Sequence, residues 1–210
     1  MKTEDLIGAL AADTLPRTSV RQRLARAVPA AVLLSLAAFL AVWGTRPDLA
    51  AVLASSTVVK TLAPLLLAGL AGALALGLSR PEARPTGRTL ALGAFAAAIL
   101  AAFVTALARA GDMGLVASLA KPSLAICLLS IPVLSLPILA GALWALSAGA
   151  PLRPGRAGAV AGLAAGGLSA SIYSFYCDQD AALFFLPAYA VAILFVALIG
   201  SVAGARMLAW

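Results

Sequence analysis

Polar residues fall in short clusters along this chain, and between them apolar residues run almost without interruption. Six such runs stand out, at roughly 27–43, 57–78, 90–108, 122–146, 157–176 and 184–205. A membrane-crossing helix needs about 20 mostly apolar residues at a rise of about 1.5 Å each. The runs are continuous and rich in Ala and Leu, rather than alternating as lipid-facing barrel strands do. The pattern therefore predicts an all-α integral membrane protein with six transmembrane helices, 27–210 forming one membrane domain behind a short N-terminal segment, 1–26. That segment carries acids as well as bases, and no small-residue cleavage site follows Trp43, so the first run reads as a retained span and not as a cleaved signal.

Finer patterning marks three places. In the N-terminal segment Thr3 can cap a helix whose first turn holds Glu4 and Asp5, with Leu6, Ile7 and Leu10 at helical spacing and Asp13 beyond them. Pro16 stops that helix, and Thr18 or Ser19 can start a second, basic one leading into the first span. The acidic helix fits either a basic partner with an apolar groove or a merely interfacial or frayed segment. In the fourth run, "CLLSIPVLSLPILAGALW", Pro132 and Pro137 remove two backbone donors, which makes either a kink held by neighbours or a hinge. Gly158, Gly162 and Gly166, then Gly200 and Gly204, repeat every fourth residue and give two helices narrow faces for close approach.

Composition agrees with a membrane setting: 63% of residues are hydrophobic, 11% are charged, and the mean hydropathy is +1.05. Charge adds orientation. Lys2, Arg17, Arg21, Arg23, Arg26, Arg80, Arg84, Arg88, Arg153, Arg156 and Arg206 fall on one side, against Arg46, Lys60, Arg109 and Lys121 on the other. The excess places both termini in the cytoplasm. The net charge of +7 is then accounted for by anionic lipid, with no direct nucleic-acid partner. Trp43, Tyr173 and Tyr176 are expected near the outer interface, with Trp144 and Trp210 near the inner one.

Chemistry is sparse. There is no histidine, no phosphate-binding glycine loop and no nucleophile motif, and every acid lies outside the runs, so neither an enzyme nor a resident cofactor is expected. Cys127 and Cys177 lie at similar outward depth. They are open to three roles: a disulfide, reactive thiols tuned by Lys60 and Lys121, or small apolar residues. As metal ligands Cys127 and Cys177 make an incomplete set for zinc, though Asp178 or Asp180 can add oxygens and a soft ion accepts fewer ligands.

The opening "MKTEDLIGALAAD", "RPDLA" at 46–50, "SLPILAGALWALSAGAPLRPGRAGAVAGLAAGGL" and "YCDQDAALF" together resemble the NrsF family of bacterial six-span anti-sigma factors. The resemblance implies that the cytoplasmic segment holds an extracytoplasmic-function sigma factor at the inner membrane until stress releases it. It also implies that Cys127 and Cys177 take part in sensing heavy metals or oxidants. Tyr176–Cys177 stands where a His-Cys pair is expected, and "LPAY" at 186–189 where a Trp-Tyr pair is expected, so no imidazole is available there. On this reading Glu4, Asp5 and Asp13 meet a basic surface of the sigma factor while Leu6, Ile7 and Leu10 fill its groove. Pro132 and Pro137 supply the moving part. The alternatives are a small-solute transporter or channel and a membrane scaffold joined through the glycine faces.

Overall fold

The computed structural model describes residues 3–11, 18–80, 86–110 and 112–209. Lys2, Asp13, Pro16, Arg17, Arg84 and Trp210 lie outside the described residues. The described chain is helical: α1 Thr3–Ala11, α2 Val20–Val42, α3 Leu49–Leu53, α4 Val59–Leu78 with a 3-10 turn at Ser56–Val58 before it, α5 Thr86–Ala110, α6 Asp112–Leu119, α7 Ser123–Leu146, α8 Pro154–Tyr173 and α9 Ala182–Met207.

Where six spans are expected, five helices among the described residues are long and apolar enough to cross a membrane: α2, α4 with its leading turn, α5, α7 and α9. The remaining long helix, α8, has 20 residues, but its glycines and serines dilute its hydropathy. It compensates by position. α8 runs through the middle of the bundle and packs most extensively on α9 and α4. Gly158 lies against the backbone of Gly200 and Gly204, and Gly162 against Val196 and Ala197, so close that a Cβ on Gly158 would sit 2.1 Å from the Gly200 carbonyl oxygen. On its other side Gly167 meets the backbone of α4 at Pro64. Small residues let these backbones touch, which is how helices gain contact where lipid offers no hydrophobic drive.

α2 begins earlier than the apolar run. Ser19 caps it in a reciprocal capping box with Gln22, and the basic stretch 20–26 is the first two turns of one helix, so the expected boundary at 26 and 27 falls inside α2. α2 packs on α7, and the Ser35 hydroxyl donates to the Leu134 carbonyl at 2.9 Å, between the two prolines of α7. α7 stays helical through Pro132 and Pro137, with the Ser135 hydroxyl on the Pro132 carbonyl at 2.6 Å. α5 is different in kind: it has no buried residue, and an apolar cavity of about 700 Å³, lined among others by Pro64, Gly93, Phe103 and Phe185, separates it from α4 and α9.

The core divides into two clusters along the bundle. One gathers Phe39, Cys127, Ile131, Tyr173, Cys177, Phe184 and Tyr189. The other gathers Ile138, Leu143, Leu146, Ala161, Val196 and Leu208 toward the opposite end, where Arg23 stacks on Trp144 at 5.0 Å. Tyr173 departs from the expected aromatic belt: it is 1% exposed, because the α8 face that carries it turns toward α7 and α9.

Candidate functional site: a buried thiol pair under an ionic cap

Two chain segments meet at one end of the bundle. Cys127 sits in the second turn of α7 and is fully buried. Cys177 follows the end of α8, where the Tyr176 and Cys177 amides both donate to the Tyr173 carbonyl, at 3.0 and 3.2 Å, and fold the chain back over the helix end. Cys177 is therefore buried too, and the two free thiols share one core cluster. Two residues that are distant in sequence, expected at one depth, are thus adjacent in space.

Aromatic rings wall the pair. The Cys127 thiol donates to the Tyr173 hydroxyl at 3.5 Å. The Tyr173 ring lies 5.8 Å from that of Tyr176 and 6.3 Å from that of Tyr189. The Tyr189 hydroxyl is buried beside Cys177 and meets no well-formed hydrogen-bond partner.

Above the thiols lies a network of charge. Lys60, from the first turn of α4, is only 1% exposed; its ammonium donates to the Cys177 carbonyl at 2.6 Å, the Gln179 carbonyl at 3.2 Å and Asp180 at 2.7 Å. Arg46, beyond the end of α2, donates to the same Cys177 carbonyl at 3.1 Å, to Asp180 at 3.0 Å and to Asp48 at 2.7 Å. Lys121 is exposed and donates to the Gln179 side chain. Charge-assisted bonds of this kind are stronger than neutral ones, and a cation as deeply buried as Lys60 stands only when paired.

The titrations follow from these contacts. The Cys177 thiol is held below the ordinary thiol range, first by its neighbour Cys127; burial pushes the other way, and the Lys60 charge adds to the lowering. Burial pushes the Asp180 carboxyl up, but the hydrogen bonds from Arg46 and Lys60 outweigh it and the net shift is downward. Asp48 is lowered by its hydrogen bond to Arg46, whose own value those carboxylates raise.

Two thiols, two phenols and a neighbouring cation can undergo thiol chemistry: oxidation, alkylation or capture of a soft ion. Among the described residues no group of three or more metal-ligating side chains converges. Asp180, considered above as an added ligand, is already engaged by Lys60 and Arg46.

The N-terminal residues lie apart from this cluster. Glu4, Asp5 and Ile7 are exposed on α1, and Asp13 is outside the described residues. Arg46 and the phenols of Tyr173 and Tyr189 are the site residues that sequence reasoning missed. Their only linear trace is in the "RPD" and "CDQD" turns, since Arg46 and Asp180 are 134 positions apart.

Residues 9–210 match the family described as NrsF, negative regulator of sigma F. The chain is 38% identical to the anti-sigma-F factor NrsF of Caulobacter vibrioides (strain NA1000 / CB15N), over 100% of both chains. No solved structure matches. With a match of this length to the family and identity of this degree from end to end, the chain belongs to the NrsF family of negative regulators of sigma F.

Proposed function

We propose that this protein is a membrane-bound anti-sigma factor that holds an extracytoplasmic-function sigma factor at the bacterial inner membrane and releases it under stress. The observation that carries the reading is the end-to-end similarity to an anti-sigma-F factor. On this proposal α8 joins the five apolar helices as a sixth span, both termini lie in the cytoplasm, and residues 1–26 hold the sigma factor. The clustering of Lys and Arg supports that orientation. Exposed Glu4, Asp5 and Ile7 on α1 support that partner site.

Cys127 and Cys177 are the sensing pair, Lys60 and Lys121 tune them, and an oxidant or soft metal acts there. A signal shifts the protein only if it favours the releasing arrangement over the holding one. The Pro132–Pro137 stretch of α7 gives the bundle room to move.

The test is Leu6→Asp in the full-length chain, checked for normal abundance in the membrane fraction. A charge placed in an apolar contact of α1 should cost about 2 kcal/mol or more of binding, or roughly thirtyfold in affinity. Constitutive transcription from a sigma-dependent promoter is the expected result. Full repression by the variant would remove residues 1–26 as the binding element.

A further inference from the structure

The loop that carries Cys177 is bonded to the segment just past the end of α2 and to the start of α4. α2 ends at Val42 with Trp43 as its C-cap, and Gly44, at a φ of +72°, turns the chain sharply so that Arg46 reaches the loop after α8. The Arg46 backbone amide donates to the Phe175 carbonyl at 2.9 Å. Its guanidinium then spans the Cys177 carbonyl, Asp180 and Asp48. Lys60 holds the same carbonyl and the same aspartate from the α4 side. One peptide oxygen, that of a sensing cysteine, is thus gripped by two cations that Asp180 bridges.

Resting on the anti-sigma reading above, we infer that Arg46, Asp180 and Lys60 are positioning residues forming a latch between the Cys177 loop and the end of α2, and that α2 carries the state of the thiol pair to the opposite end of the bundle. Any change at the Cys177 sulfur that shifts its main chain pulls its carbonyl away from both cations. α2 is a single helix of 23 residues, about 35 Å long, whose capped start adjoins the N-terminal segment. A loosened latch frees its far end, and a helix that length moves largely as a rigid body. The Ser35 bond to Leu134 keeps α2 in register with the proline stretch of α7, so the two helices shift together. In the latched state the thiols are sealed and the N-terminal segment is held in its binding position.

The experiment uses the full-length chain in membrane vesicles, treated with N-ethylmaleimide and read peptide by peptide by mass spectrometry, beside a sigma-dependent reporter in cells. Arg46→Gln and Asp180→Asn each remove charge-assisted bonds and should speed Cys177 alkylation about tenfold. They should also raise the reporter without added stress, at unchanged abundance in the membrane. Arg46→Lys keeps the cation and the bundle but has no fork to span three acceptors, so it should give a smaller rise. Unchanged Cys177 labelling in both Arg46 variants overturns the latch. Faster labelling with a flat reporter, in a strain where Leu6→Asp derepresses, overturns the route through α2. A reporter that stays silent in Leu6→Asp as well removes residues 1–26 as the binding element and overturns the route through α2 with it, while the labelling still reports on the latch alone.

Discussion

α5 and α8 stand at opposite poles of this molecule. α5 spans 25 residues, reaches a mean hydropathy of 2.4, and buries none of them. α8 is too rich in glycine and serine to count as an apolar span, yet twelve of its 20 residues are buried, among them Gly158, Gly162, Gly166 and Gly167. In water the more apolar helix would be the buried one. Here the order is reversed, because lipid solvates Leu and Phe as well as a protein interior does, and only close packing and polar bonds distinguish a neighbour from the solvent. Small residues therefore mark the centre and large apolar ones the rim.

The sharpest way to break this comparison is to make one substitution on both helices. Gly158→Ala places a methyl group 2.1 Å from the Gly200 carbonyl oxygen, so α8 and α9 must move apart along the seam. It should cost about 3 kcal/mol, the upper part of the range for overpacking. Gly93→Ala on α5 meets nothing within 4 Å and should be neutral or gain a few tenths of a kcal/mol from helix propensity. Thermal unfolding of both variants in one detergent reads the difference, and equal melting temperatures would abolish the contrast.

The linear sequence showed which segments are helical because apolar runs and turn clusters are local signals, and the glycine repeats of α8 and α9 announced their contact. Ser19 was legible as a helix start, but not that the helix it caps continues unbroken into the first span, since Arg21, Arg23 and Arg26 end an apolar run without ending a helix. Tyr173 looked interfacial because its position along α8 is near the end, whereas its direction around the axis is set by α7 and α9. The thiol pair was legible as a shared depth only. Its ionic cap was not, because Arg46, Lys60 and Asp180 come from three separate segments and no short-range pattern links them.

That cap makes the two ends of α8 differ in their response to acid. The glycine seam contains no titratable group, but beyond its end Asp180 has a carboxyl held below the ordinary value of 3.8 in the folded protein. A lowered carboxylate stabilises the fold above its unfolded pKa, and that contribution disappears as pH falls from about 4 through the folded value. Wild type should therefore melt higher than Asp180→Asn at pH 7, and the gap should close on acidification toward pH 3. Gly158→Ala should keep its deficit throughout. A gap independent of pH would mean that Asp180 acts by shape and not by charge.

A smaller effect resolves the thiols just past α8. With Cys177 held below the ordinary thiol range, its alkylation rate should rise and level off at lower pH than that of an ordinary thiol. Removing the neighbouring thiol in Cys127→Ala should move the midpoint of that rise upward, leaving Lys60 as the main group that lowers it. A midpoint unmoved by Cys127→Ala would transfer the effect to Lys60 alone.

The least change is expected where local chemistry alone holds a helix. The start of α2 has no glycine seam; it depends on the Ser19 hydroxyl accepting from the Gln22 amide at 3.2 Å and the Gln22 side chain accepting from the Ser19 amide at 3.1 Å, both in an exposed place. Ser19→Ala removes half of this capping box and should cost about 1 kcal/mol, confined to the first turn. The melting temperature should scarcely move, because the turn can fray without separating α2 from α7. Amide exchange over residues 20–23 should quicken about fivefold, matching that local cost. If exchange also quickened at Ser35 or Phe39, the two buried residues of α2, then the cap would be supporting the whole helix, and α2 would resemble α5 in lacking an anchor of its own.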